Sequence, residues 1–144
     1  MKRAITVGVF DLFHYGHLKL FQNIKKVCGE DTYLIVAVQK DEWIKKYKPE
    51  AEVMYTYEER AEILRNLRVV DEVVPYERAD DVIGRVDFDI FAKGEEQGGP
   101  THEPFNNLIA YCQKTGKQIV IMPRTPNISS TYCKRIVESR CETK

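Results

Sequence analysis

Gly8-Val9-Phe10-Asp11-Leu12-Phe13-His14-Tyr15-Gly16-His17 is the stretch around which this chain is organised. Ala4-Ile5-Thr6-Val7 before it predicts a buried strand, and Leu18 to Val27 after it an amphipathic helix. A strand that runs through a glycine-bearing loop into a helix presents backbone N–H groups and the positive end of the helix dipole, which suits a phosphate. His14 and His17, three residues apart on that corner, add side-chain donors. The pair allows three readings. A zinc pair would lack a third ligand nearby, because His102 is remote and Cys28 lies three turns down the helix. Two incidental surface histidines are the plain alternative. Phosphate contact, with Gly16 allowing close backbone approach, is the reading favoured by the flanking strand and helix. One glycine and two histidines do not make a dinucleotide G-x-G-x-x-G fingerprint, and there is no Walker lysine motif.

A chain of 144 residues predicts one domain spanning 1–144. Its 43 % apolar and 31 % charged residues are those of a globular rather than a disordered protein. Lys plus Arg and Asp plus Glu each number 22, so no global field points to nucleic acid or to a membrane surface. The apolar runs are of strand length and the N-terminus lacks a signal-peptide core, so a cytoplasmic protein is expected. Cys28, Cys112, Cys133 and Cys141 form no Cys-x-x-Cys pair, which predicts reduced, structural thiols.

Short Val- and Ile-rich runs recur at Ala4–Val9, Tyr33–Val38, Glu72–Pro75, Asp89–Ala92 and Gln118–Met122, with helical patterns between them. Leu20, Phe21, Ile24 and Val27 form a stripe on the first helix. Thr56 and Glu59 form a capping box that opens a helix carrying Ala61, Leu64 and Leu67. Asp80 to Val86 is a weaker helix. Phe105, Leu108, Ile109 and Cys112 mark another, stopped by Gly116. Ser129 or Ser130 would cap the last, whose buried side would include Cys133, Ile136 and Val137. Alternating strand and helix predicts a doubly wound, Rossmann-like sheet of five parallel strands with helices on both faces. Ligands of such sheets bind beyond the strand C-termini where strand order reverses. Lys40 to Tyr55 and Gly94 to Glu103 read as long functional loops.

A second cluster, Arg124-Thr125-Pro126-Asn127-Ile128-Ser129-Ser130-Thr131, follows the last strand and opens the last helix. Its hydroxyls could simply be caps. Joined to Arg124 at the same sheet edge as the histidine loop, they read as a second phosphate clamp.

Together, Gly8-Val9-Phe10-Asp11-x-x-His14-x-Gly16-His17 and Arg124-Thr125-x-x-Ile128-Ser129-Ser130-Thr131 resemble the two signatures of the cytidylyltransferase family, within the nucleotidyltransferase α/β superfamily. The similarity extends to Asp41-Glu42, to a lysine before the next helix, and to Arg68-Val69-Val70-Asp71-Glu72-Val73, covering residues 3 to about 137. That family includes the glycerol-3-phosphate, phosphocholine and phosphoethanolamine enzymes, and the short length most resembles the bacterial glycerol-3-phosphate branch. The resemblance implies strand order 3-2-1-4-5 and transfer of CMP from CTP to a small phosphorylated alcohol. The products would be pyrophosphate and a CDP-alcohol such as CDP-glycerol, a precursor of cell-surface polymers.

By the same resemblance His14 and His17 contact the triphosphate, with Gly8, Val9, Phe10 and Gly16 forming the nucleotide loop. Lys48 is the implied catalytic lysine, with Lys46 the alternative on either substrate; composition alone would make Lys45-Lys46-x-Lys48 a solvated basic run. Arg124, Thr125, Ile128, Ser129, Ser130 and Thr131 would hold the β- and γ-phosphates, and Gly94 and Glu95 would lie beside the cytosine. Asp11, Arg60 and Glu96 are assigned to the acceptor. Mg²⁺ would accompany CTP with no dedicated acidic cage. Arg68 to Val73 resembles the segment through which these enzymes form a homodimer, although it also reads as an ordinary helix end leading into a strand.

Two departures bear on specificity. Asn127 stands where family members commonly carry glycine, and asparagine tolerates positive φ best among the other residues. Gly94-Glu95-Glu96-Gln97, preceded by Lys93, stands where the bacterial glycerol-3-phosphate enzymes have a Gly-Asp-Asp-Trp run, and is followed by Gly98-Gly99-Pro100-Thr101-His102. Trp43, Tyr47, Tyr55 and Tyr57 do not assemble a clear cage for phosphocholine. An adenylyltransferase of the same fold and a non-catalytic nucleotide-binding module stand as alternatives.

Overall fold

Five strands form where the Val- and Ile-rich runs lie: β1 Arg3–Gly8, β2 Tyr33–Gln39, β3 Glu72–Tyr76, β4 Ile90–Gly94 and β5 Gln118–Met122. The structure is a computed structural model that describes residues 1–47, 49, 50, 52–95, 102–123, 135 and 136. All strand pairs are parallel and the order is β3-β2-β1-β4-β5, as expected. Both faces of the central strands are covered, which explains their lack of polar alternation. Ala4, Leu34, Val36, Val38, Ile90 and Ala92 pack in one core with Phe21, Ile24 and Leu64. Ile5, Val7, Ile35, Ala37 and Phe91 pack in the other with Leu108 and Cys112.

Four helices connect these strands: α1 Tyr15–Cys28, α2 Asp41–Tyr47, α3 Tyr57–Arg65 and α4 Glu103–Thr115. The predicted capping box opens α3: Thr56 N–H donates to Glu59 Oε1 at 2.9 Å and Glu59 N–H to Thr56 Oγ1 at 3.2 Å. Gly116 ends α4 in the left-handed region at φ 76°. Between β3 and β4 the expected helix over Asp80–Val86 is a single 3-10 turn, Ala79–Val82. Asp81 closes it by accepting from the Glu77 and Arg78 N–H groups.

Three further expectations are corrected. The first helix begins at Tyr15 rather than Leu18. Val27 is 61 % exposed, so the buried stripe ends at Ile24. The supposed loop Lys40–Tyr55 contains α2, whose acidic first turn and basic last turn suit the helix dipole. Cys28 and Cys112 are free thiols, and Cys133 and Cys141 lie outside the described residues. Among the described residues no helix is long and apolar enough to cross a membrane.

The reversal of strand order falls between β1 and β4, so the loop after β1 enters the crevice where such sheets bind ligands. Phe10 sits on that loop at φ 55°, buried, its ring 5.4 Å from the Phe21 ring. A Cβ added at Gly8 would lie 2.9 Å from Phe10 Cζ. Gly8 is therefore required by a ring folded back over it, before any ligand is considered. Gly8→Ala should cost about 1–3 kcal/mol, the range for overpacking a filled core, measured as a lower urea midpoint at unchanged slope.

Candidate functional site

The histidine spacing is a capping geometry. His14 is the N-cap of α1 and His17 its third helical residue. Gly16 N–H donates to His14 Nδ1 at 2.9 Å, and His14 N–H donates to His17 Nδ1 at 3.2 Å. Two imidazoles thus take the places that a hydroxyl and a carboxylate occupy in an ordinary capping box. The rings stack with centroids 3.9 Å apart. Because each Nδ1 accepts, each neutral ring carries its proton on Nε2, leaving two Nε2–H donors at the helix N-terminus.

The His17 ring lies edge-on to Phe10 at 5.2 Å and beside Phe13 at 5.6 Å. Burial in this surround, and secondarily the neighbouring His14, lowers its pKa from 6.5 to about 3. His17 is therefore a neutral donor at physiological pH. The amide of Gly16, offered to a phosphate on sequence grounds, is engaged by His14 instead. An anion at this corner would therefore meet imidazole N–H rather than that amide.

Asp11 and Arg60, assigned to the acceptor from sequence, are both committed to the protein's own backbone. Asp11 is buried and accepts from Met54 N–H at 2.7 Å and Tyr55 N–H at 3.0 Å. The Arg60 side chain is 0 % exposed. Its Nε donates to Tyr55 O at 3.1 Å, its Nη1 to Val9 O at 2.9 Å, and its Nη2 pairs with Asp41. Asp41 also accepts from Tyr57 N–H at 3.1 Å. These bonds tie the histidine loop, the first turn of α2 and the start of α3 together. Sequence alone could have raised this possibility from one signal: an arginine in a helix whose neighbours Ala61 and Leu64 are core residues.

Lys46 is exposed on α2, its ammonium 4.2 Å from the centroid of the Trp43 ring. Tyr57 packs against the core instead of joining an aromatic cage. Across the crevice, Gly94 ends β4 opposite Met122, and Glu95 N–H donates to Met122 O at 3.2 Å. Lys48, Glu96, Arg124, Thr125, Asn127, Ile128, Ser129, Ser130 and Thr131 lie outside the described residues. The described part of the site thus brings together the histidine pair, its aromatic support and the Arg60 ties.

Residues 5–136 match the family model described as cytidylyltransferase-like. The chain is 35 % identical over 142 residues to a glycerol-3-phosphate cytidylyltransferase of Bacillus spizizenii, covering 96 % of this chain and 99 % of that one. It is also 31 % identical over 147 residues to an FAD synthase of Korarchaeum cryptofilum, covering 99 % and 97 %. Among solved structures, a lipopolysaccharide core biosynthesis protein of Thermoplasma volcanium aligns with a TM-score of 0.63 and 26 % identity, covering 87 % and 97 %.

Two outcomes follow from the geometry. Arg60→Met should lower the unfolding free energy by about 2–4 kcal/mol in urea titration, because it strands the Val9 and Tyr55 carbonyls and unpairs Asp41. For His17 the unfolded chain binds more protons than the folded one between about pH 3 and 6.5, so its contribution to stability falls as pH drops through that window. Nitrogen-15 spectra at pH 5 should show His17 neutral with Nε2 protonated. Denaturation from pH 7 to 5 should lose stability on the order of 2 kcal/mol through this group, a loss reduced in His17→Asn.

Proposed function

This chain belongs to the cytidylyltransferase-like family, and from that premise we propose that it transfers CMP from CTP to a small phosphorylated alcohol, glycerol-3-phosphate being favoured. The observation that carries this reading is the histidine capping box at the strand-order switch, with two Nε2–H donors at the helix end. Similarity to a glycerol-3-phosphate cytidylyltransferase along nearly the whole of both chains supports the acceptor.

In the proposed reaction an oxygen of the acceptor phosphate attacks the α-phosphorus of CTP. A new P–O bond forms, the bond from the α-phosphorus to the bridging oxygen breaks, and pyrophosphate leaves with the electron pair. The acceptor phosphate is already a competent nucleophile, so no general base or covalent intermediate is needed. Catalysis rests on alignment and on stabilising negative charge as it moves to the leaving oxygens. His14 and His17 do this as neutral donors, already oriented by the backbone N–H groups that hold their Nδ1 atoms. Lys48, with Lys46 as the alternative, supplies positive charge from the α2 side. Arg124, Thr125, Ile128 and the Ser129–Thr131 turn hold the β- and γ-phosphates.

Among the described residues no group of three or more His, Cys, Asp or Glu side chains could hold a metal ion. Both histidine Nδ1 atoms are taken by backbone N–H groups, so the pair does not chelate through them. The histidine N–H donors would not hold the ion, and a Mg²⁺ brought with the triphosphate would supply charge that offsets the phosphates. The segment Arg68–Val73, which leads from α3 into the edge strand β3, is proposed as the contact of a homodimer.

A second reading, adenylyl transfer from ATP, is supported by the FAD synthase relative, which is similar over almost the full chain. Pyrophosphate release measured with Mg²⁺, each nucleoside triphosphate and a panel of phosphorylated alcohols separates the two. Release with CTP and glycerol-3-phosphate is expected; release with ATP alone would overturn the cytidylyl reading. His17→Ala and Lys48→Ala should each lower turnover by about a hundred- to a thousandfold, with CTP affinity only modestly reduced. Normal turnover by His17→Ala would remove His17 from the mechanism.

A further inference from the structure

We propose that Lys93 is the specificity residue that receives the acceptor's phosphate, on the lip of the crevice opposite the histidine pair. This inference rests on the nucleotidyl-transfer reading above and adds a residue to it. The crevice lies between the carboxyl ends of β1 and β4. Ala4 and Ile5 pair with Ile90 and Phe91, and in that register Lys93 stands level with Val7, one residue before Gly8. Lys93 therefore stands at the carboxyl end of β4, on the strand next to the one that leads into the histidines.

Its surroundings differ from those of the two lysines that pair with carboxylates. Lys25 pairs with Asp71 at 2.8 Å, and Lys40 with Glu77 at 3.6 Å. Lys93 is half-buried, and its ammonium donates to the adjacent Gly94 carbonyl at 3.0 Å. Among the described residues no carboxylate forms a salt bridge with it. Among the described residues, one of its three N–H donors is used and the partly desolvated charge meets no carboxylate. An anion arriving in the crevice completes it.

The charges already assigned identify that anion. The triphosphate is given the histidine pair, Arg124 and the Ser129–Thr131 turn, whereas Arg60, the arginine assigned to the acceptor, is committed to the Val9 and Tyr55 carbonyls and to Asp41. The acceptor's phosphate is the anion left without a cation of its own. Lysine is a compact point charge with rotatable donors, which suits a phosphate monoester that must be held and yet react.

Lys93→Met keeps the length of the stem and removes the charge. Steady-state kinetics should show the KM for glycerol-3-phosphate raised about ten- to a hundredfold, the loss expected for one charge-assisted hydrogen bond, with the KM for CTP within about threefold. Lys93→Arg should recover most of the acceptor affinity and Lys93→Gln little. An unchanged acceptor KM, or an equal or larger rise in the KM for CTP, would overturn the assignment. Should the wild type release no pyrophosphate with any nucleotide, the transfer reading fails. Calorimetric titration of glycerol-3-phosphate then tests Lys93 by itself. Binding by the wild type that weakens tenfold or more in Lys93→Met upholds the site, while equal affinity, or binding by neither protein, removes it.

Discussion

Arg60 has no exposed side-chain surface yet carries a full charge, and a desolvated guanidinium is tolerated only when both its donors and its charge are answered. Here the answers come from three separated pieces of chain: the Val9 carbonyl after β1, the Asp41 carboxylate opening α2, and the Tyr55 carbonyl before α3. A planar fork of fixed geometry can meet all three only if they hold one arrangement. Lysine, with donors at a single point, could not bridge them. Asp11 adds a second tie by capturing the Met54 and Tyr55 amides. The loop bearing the histidines and the segment leading toward the catalytic-lysine candidates are thereby held by one network, although the sheet itself connects them only through β1 and β2.

Within that frame each histidine is oriented by a backbone amide: Gly16 N–H holds the His14 ring and His14 N–H holds the His17 ring. An N-cap side chain and a third helical residue that reaches back to the cap give His-x-x-His its spacing a structural reason as well as a chemical one. These bonds leave Nε2 protonated on each neutral ring, so the donors are set before any ligand binds. The aromatic surround of His17 disfavours the imidazolium and keeps that ring a hydrogen-bond donor without net charge. In the proposed reaction, positive charge would then come from lysine, arginine and a metal brought with the nucleotide.

Much of this architecture was legible in the amino-acid pattern. Val- and Ile-rich runs of strand length, separated by helical stripes, are enough to specify a parallel sheet, and Thr56 with Glu59 announces the start of α3. Periodicity was less able to find α2, because seven residues in which Ile44 is the one described apolar side chain that is buried make too short a stripe. It also overextended the core to Val27, where the last turn of α1 leaves the sheet. The site divided differently. The histidine corner follows from local order alone. The burial of Asp11 and Arg60 depends on partners some fifty positions away or less in sequence, and no local pattern distinguishes a carboxylate that caps a distant turn from one that awaits a substrate.

The position of the Arg60 ties has a consequence for how such a protein diversifies. All three of its bonds lie on the β1–β2–β3 side of the sheet, whereas Lys93, Gly94 and Glu95 stand on β4 and just beyond it. Substitutions of Asp41 and Arg60 are coupled through one ion pair, and neither can be exchanged singly without a cost felt by the other. The β4 lip carries no share of that coupling. A change on the β4 bank of the crevice can therefore leave the Arg60 ties on the other bank undisturbed.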